Sequence, residues 1–338
     1  MKGAIGPLEK PSLVRFTRRS WPEKKVILKV IAARGGRTLE RQLGYERPWE
    51  APWRRRSFAV LRPIGVGDVL MCTPALRALK RLRPECRIQF YTDRPSLVRG
   101  LPYIDEVMPP VAAPFGAIVP DYFDAIPCET HLSNVLAKSL GVSIDDPRPD
   151  CMVDRNLAAQ YREMWQRLPH PHIVVSRRAS AWTPNKHWPD AYWQALIGRL
   201  SRRAGVVEIG EAAQVAEDFG PHYVDLRGRT SLDDLVAIIA EADLHVGPPS
   251  GPVHIAAATG KRSVVIVGGY ESPNNAAYPW DIALYTQVAC SPCWLRTPCP
   301  HGLQCLRAIT PEEVEAAALS LWSKIAGGNL AAAQSVAS

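Results

Sequence analysis

The chain has 338 residues with 46% hydrophobic and 22% charged side chains and a formal net charge of +8. That balance excludes a fibrous or wholly disordered protein, and the length suits two domains of ordinary size. No uninterrupted apolar run approaches the ~18–20 residues that a membrane-spanning helix needs.

The charge is uneven. Residues 1–56 hold 15 Lys or Arg against 5 Asp or Glu, a local +10, whereas the rest carries 26 basic and 28 acidic residues, about −2. A basic arm on a near-neutral body argues against a nucleic-acid-binding globular face. The arm combines Arg54-Arg55-Arg56 and Lys24-Lys25 with Trp21, Trp49 and Trp53. Two readings stand: a solvated, partly disordered extension, or an anchor for an anionic membrane surface. The first residues lack the basic, apolar and small-residue order of a signal peptide, so the expectation is a cytoplasmic protein, with peripheral attachment at the inner membrane face as the second reading. Its eight cysteines are then expected to be reduced.

From residue 57 the pattern alternates strand and helix. Phe58–Arg62 reads as a strand, Pro63–Asp68 as a glycine-bearing turn, and Val69 to Leu82 as a helix. Gly65 and Gly67 let the chain turn sharply at the strand end. Asp68 then stands at the mouth of the sheet, as a helix cap or as a general base. Arg87–Thr92 and 103–107 suggest the next strands, followed by a proline-rich loop over 109–128 and helices over 131–140 and 157–168. Pro169-His170-Pro171 reads as a linker.

Alternation restarts with the strand His172–Ser176. Lys186 lies in the loop after it, and Glu211 lies just beyond the next strand, Val206–Gly210. The most organised stretch is Leu244–Gly247, a Gly/Pro/Ser turn, a small-residue helix to Ala258, and the strand Ser263–Gly268. This βαβ unit requires a parallel sheet covered by helices, with ligands outside the carboxyl ends of its strands. Ser250 and Gly251 open the helix there, where free backbone N–H groups attract anions, although an ordinary structural turn reads the same way. Lys186, with Arg177-Arg178, could hold a diphosphate at that edge, and Glu211 could accept ribose hydroxyls. The whole is expected to be α/β, two doubly wound Rossmann-like domains facing across a cleft: 1–56 a basic extension, 57–168 the first domain, 169–326 the second, and 327–338 a disordered tail.

Cys290, Cys293, Cys299 and Cys305 admit two readings, a reduced structural cluster or a tetrahedral zinc site, although only one pair has CxxC spacing. Thr310-Pro311-Glu312-Glu313 is a capping box opening a helix to about Ile325.

Four motifs together resemble glycosyltransferase family 9, the bacterial heptosyltransferases. They are Val60–Leu70 running into Thr73–Leu79; Lys186-His187-Trp188-Pro189; Ser250–Ala258; and Cys290-Ser291-Pro292-Cys293 through Cys305, then Ile309–Val314. The resemblance covers roughly 57–325. It implies a GT-B fold and an inverting, metal-independent transfer with no cofactor. The expected partners are a nucleotide-sugar donor, usually ADP-heptose, and a glycan or glycolipid acceptor, usually the lipopolysaccharide inner core. By position it makes Asp68 the base, with Gly65 and Gly67 beside the acceptor. Lys186, Glu211, Ser250, Gly251 and His254 become donor-binding residues. The chain departs from the family pattern in three places. Pro249 stands where an Asp is usual, the first domain is shorter, and residues 1–56 are additional. The competing readings are a catalytically silent nucleotide-sugar-binding homologue serving as a scaffold, and a sugar-nucleotide epimerase on the same fold.

Overall fold

A computed structural model describes residues 57–63, 65–123, 125–179, 183–212 and 217–336, with side chains to Gly327. The basic extension 1–56 therefore lies outside the described residues. The first half is a parallel sheet ordered β1-β2-β3, from β1 (Ser57–Leu61), β2 (Arg87–Tyr91) and β3 (Glu106–Met108). Within the proline-rich loop Ile118 adds a single parallel bridge, to Val60. Helix α1 (Val66–Leu82) follows β1 and the short α2 (Pro95–Val98) follows β2. Beyond the sheet come α3 (Leu132–Ser139), capped by His131 Nδ1, and α4 (Arg155–Trp165), capped by the Asp154 carboxylate.

The second half is a six-stranded parallel sheet ordered β6-β5-β4-β7-β8-β9. In chain order its elements are β4 (His172–Ser176), α5 (Asp190–Leu200), β5 (Gly205–Ile209), β6 (Tyr223–Asp225), α6 (Leu232–Glu241), β7 (Leu244–Gly247), α7 (Gly251–Ala258), β8 (Arg262–Gly268), α8 (Pro273–Ala276), β9 (Ile282–Tyr285), α9 (Gln304–Arg307) and α10 (Pro311–Val336). Counted within this half, the order is 3-2-1-4-5-6, the doubly wound arrangement with its switch point between β4 and β7. β4, β5 and β7 are buried along their whole length, as expected of strands covered on both faces. The capping boxes at Ser231 and Thr310 form as their spacing predicts.

Three boundaries differ from the sequence expectation. Helix α1 begins at Val66, so Asp68 lies inside its first turn rather than capping it. Helix α10 continues to Val336 instead of stopping near Ile325, so its backbone covers most of the stretch expected to be a disordered tail. Ala331-Ala332-Ala333, the strongest helix formers, offset the cost of Gly327-Gly328. Helix α4, assigned to the first half, packs on α6 of the second: Trp165 donates from Nε1 to the Ile238 carbonyl at 3.2 Å and Tyr161 to Asp234 at 3.0 Å.

The halves share a core. One continuous cluster joins Val60, Val69, Leu70 and Leu76 to Val174, Val207, Ile238, Ile255 and Ala256. A second, containing Trp193, Leu196, Val246 and Leu321, fills the opposite face of the larger sheet under α5 and α10.

Candidate active site

The switch point brings the two halves together at the first turns of α1 and α7. Glycine makes the approach possible. A Cβ on Gly67 would lie 2.6 Å from His254 Cδ2, and one on Gly251 would lie 3.0 Å from Val66 Cβ. Gly65, at φ 90°, turns the chain from the strand into α1, and a Cβ there would overlap Asp68 Oδ2. Both glycines named from the sequence in the α1 loop are thus required by close approach.

Asp68 is partly exposed and held on one oxygen. Its Oδ1 accepts from Arg62 Nη2 at 2.5 Å and from the Tyr122 hydroxyl at 3.0 Å, while Oδ2 lies over Gly65. Arg62 is buried, and its other nitrogen donates to the Pro120 carbonyl at 2.9 Å. Burial opposes its charge, but Asp68 outweighs that and holds the guanidinium above its ordinary range. Burial, then the Asp68 charge, pushes Tyr122 well above the usual phenol value, so it stays protonated and donates. Neither Arg62 nor Tyr122 was marked by sequence reasoning. Arg62 ends a strand beside the Gly-x-Gly turn, which is a usable signal. Tyr122 comes from a proline-rich loop with no pattern that points to Asp68.

Lys186 ends a single turn of 3-10 helix, Pro184–Lys186. Its Nζ lies 2.5 Å from Glu271 Oε1, 3.4 Å from the Pro249 carbonyl and 4.9 Å from the Tyr270 ring centre. The structure therefore places Lys186 beside the Ser250–Gly251 turn, and it adds Glu271, which the sequence reading missed. Ser250 is the N-cap residue of α7, but its hydroxyl donates back to the Pro248 carbonyl at 3.0 Å instead of capping. His254 is buried and its Nδ1 lies 2.9 Å from the Tyr278 hydroxyl. Burial, with smaller contributions from His131 and Lys186, pushes its pKa down to about 3, so the ring is neutral at pH 7. It supplies shape and a hydrogen bond at the joint, with no positive charge.

Glu211 lies exposed just past β5, on the expected edge. The flanking arginines do not reach the Ser250 turn. Arg177 is committed to Glu208 and Glu217, and Arg178 to Asp190 at the surface. The four cysteines named as a metal alternative are free thiols. Among the described residues, the one His/Cys/Asp/Glu group with ligand atoms within 4.8 Å of one another is His170, His172 and Asp243, so the thiols do not converge into a tetrahedral site. Cys305 is packed against Gly269, and Cys299 Sγ accepts from the His301 amide. Burial raises Cys293 and Cys305, which favours thiol over thiolate. The His170 and His172 rings stack 3.8 Å apart, with His170 Nδ1 engaged by Asp243 and His172 Nε2 by the Leu168 carbonyl.

This arrangement offers a carboxylate from one half facing a lysine and the open N-terminal turn of a helix from the other. It can accept a proton on one side and hold an anion on the other. Residues 130–294 match the model of glycosyltransferase family 9 (heptosyltransferase). Lipopolysaccharide heptosyltransferase 1 of Salmonella typhimurium is 27% identical over 142 residues, 40% of this chain and 42% of that protein. The chain thus spans less than half the length of this curated relative. Among solved structures, the iron-containing heptosyltransferase TibC in complex with ADP-D-beta-D-heptose superposes with a TM-score of 0.61 at 20% identity, covering 80% of this chain and 77% of that one. The E. coli ADP-heptose lps heptosyltransferase II gives 0.59 at 18% identity, covering 80% and 99%. At these identities the structural likeness establishes the GT-B fold with its two Rossmann-like halves. The segment similar to glycosyltransferase family 9 contains the Lys186 and Ser250 motifs and covers just under half of the chain.

Proposed function

We propose that this chain is a glycosyltransferase that moves a heptose from ADP-heptose to a hydroxyl of a lipopolysaccharide or related glycan acceptor, with inversion and without a metal ion. The observation that supports the reading is the close approach of α1, whose first turn carries Asp68, to the Ser250–Gly251 turn of α7, beside which Lys186 lies. An inverting displacement needs a base on one side of the sugar and charge stabilisation for the leaving group on the other.

In this reading Asp68 Oδ2 takes the proton of the acceptor hydroxyl as that oxygen attacks the anomeric carbon. Arg62 and Tyr122 fix the carboxylate through Oδ1 and leave Oδ2 for the substrate. Lys186 and the backbone N–H groups of the α7 turn neutralise the departing diphosphate, and Glu211 receives the ribose. The donor and acceptor classes are those of the similar heptosyltransferases, and the residues supply the chemistry.

The test is Asp68→Asn. Turnover should fall by about 10²–10⁴, the usual worth of general base catalysis, while calorimetric ADP binding stays within about twofold. Equal turnover in the variant removes Asp68 as base. Binding of donor with no turnover in the wild type favours the silent-scaffold reading. Basic residues 1–56 are proposed to hold the enzyme to an anionic membrane or acceptor, and unchanged liposome binding at low salt after their deletion removes that role.

A further inference from the structure

We infer that Glu271 is a specificity residue of the donor site, a carboxylate that accepts hydrogen bonds from the sugar hydroxyls of the bound nucleotide sugar. This rests on the donor-site reading above.

Glu271 follows β8 at the carboxyl edge of the sheet, one strand beyond the β7–α7 turn. It is 1% exposed. A carboxylate so buried needs partners, because its desolvation is costly. Among the described residues its one ion-pair partner is Lys186, and Oε1 makes no hydrogen bond of good geometry. Glu208, equally buried in the same sheet, shows the contrast: its Oε1 likewise lacks a well-shaped hydrogen bond, but the carboxylate is held by two arginines, Arg177 and Arg227, and by the Tyr223 hydroxyl, a set that leaves it structural. Glu271 has unused accepting capacity and Glu208 has little.

Position decides what would use that capacity. Lys186 Nζ touches both Glu271 and the Pro249 carbonyl, so the carboxylate stands beside the turn that receives the diphosphate. The Glu271 charge also reaches Tyr122, the phenol that donates to Asp68, as a minor influence. In a displacement the sugar must lie between the leaving oxygen and the attacking one. Glu271 therefore borders the place of the sugar. When the diphosphate arrives it competes for Lys186, and the carboxylate is released to hydroxyl donors, which it suits because an ionised carboxylate only accepts.

Two consequences separate this from a purely structural ion pair. Removing the charge should not weaken a bare nucleoside diphosphate, since a negative competitor for Lys186 is gone. It should weaken the sugar-bearing ligand. Calorimetry with ADP and with ADP-heptose on the full chain reads both. Glu271→Gln should bind ADP at least as tightly as the wild type, while the preference for ADP-heptose over ADP falls by about tenfold to a hundredfold, the worth of a hydrogen bond to a charged group. Glu271→Asp keeps the charge beside Lys186 but withdraws the carboxylate by one methylene. It should keep wild-type ADP affinity and lose the same preference, and it decides the matter alone if Glu271→Gln does not unfold cooperatively. Equal loss of both ligands, or an unchanged preference, overturns the inference and leaves Glu271 as a positioning partner of Lys186. A wild type that binds neither ligand overturns the donor-site reading itself, and the inference with it.

Discussion

At Gly67 two principles oppose each other. Gly67 lies in the first turn of α1, where alanine is intrinsically the better helix former by about 1 kcal/mol. Yet an added methyl would sit 2.6 Å from His254 Cδ2, and that ring cannot swing away, because it is buried and tied to the Tyr278 hydroxyl. The clash should win. Gly67→Ala is expected to destabilise the fold by about 1–3 kcal/mol, the cost of overpacking, in urea unfolding followed by tryptophan fluorescence. A stabilised variant would show that the joint has slack. The site is unevenly legible at this scale. Asp68, Lys186 and the Ser250 turn could be found because each adjoins a strand end with turn residues. Glu271 and Tyr122 could not, because their meaning comes from contacts across the joint: Tyr122 reaches Asp68 over 54 positions of chain.

Single strands and helices carry a second kind of tension. Strand β5 places Glu208 at 0% exposure in an otherwise apolar run, Gly205-Val206-Val207-Glu208-Ile209. Burial raises its pKa, while Tyr223, Arg177 and Arg227 pull the other way. Glu217 and Asp225 complete the network around the two arginines. Deleting the central carboxylate leaves both arginines short of a counter-charge in a desolvated site. Glu208→Ala should cost about 3–5 kcal/mol in guanidinium unfolding, as the removal of one member of a buried pair does. Asp190→Ala, which breaks an exposed pair with Arg178, should stay within about 1 kcal/mol. A Glu208→Ala loss no larger than the Asp190→Ala loss would show that water solvates the network. Periodicity made most elements readable, since the buried strands are continuous apolar runs and the Ser231 and Thr310 boxes are local signals. It misplaced α4, whose sequence neighbours are in the first half while Trp165 and Tyr161 dock on α6. It missed β9, a half-buried strand of 4 residues at the sheet edge, too short for an alternating pattern. Docking partners and edge pairing are tertiary facts, set by packing rather than by local propensity.

The whole molecule buries imidazoles in both halves and at their joint, and this sets its response to acid. Burial pushes His245 and His254 down to about 3 and His131 down to about 4, from the ordinary 6.5. Their folded pKa values lie below the unfolded one. As pH drops through 6.5 the unfolded chain takes up protons that the folded chain refuses, and stability is lost from there down to the folded values. Each contributes a loss of about 1.4 kcal/mol per pH unit. Asp281 works in the opposite direction. Burial raises it to about 7 against amide hydrogen bonds from Tyr278 and Ser263, so the folded chain takes up its proton first and gains stability as pH falls from 7 toward the ordinary 3.8. The three rings outweigh Asp281, and His172 and His187, also lowered by burial, act in the same direction. Between pH 7.5 and 5.5 the net loss should be at least about 2 kcal/mol, earlier than carboxylates of ordinary pKa would cause. Urea midpoints at the two pH values measure it. His245→Asn provides the internal control. His245 lies between the hydroxyls of Ser176 at 2.9 Å and Ser263 at 3.3 Å, away from the Asp68–Lys186 site, and an amide can serve both hydroxyls without titrating. The variant will be less stable at pH 7.5 through the change in shape, but its further loss on going to pH 5.5 should be about 1 kcal/mol smaller than that of the wild type, because one ring that refuses a proton in the folded chain is gone. An identical pH dependence in wild type and variant would show that His245 titrates alike in the folded and unfolded chain and would remove it as a source of the loss.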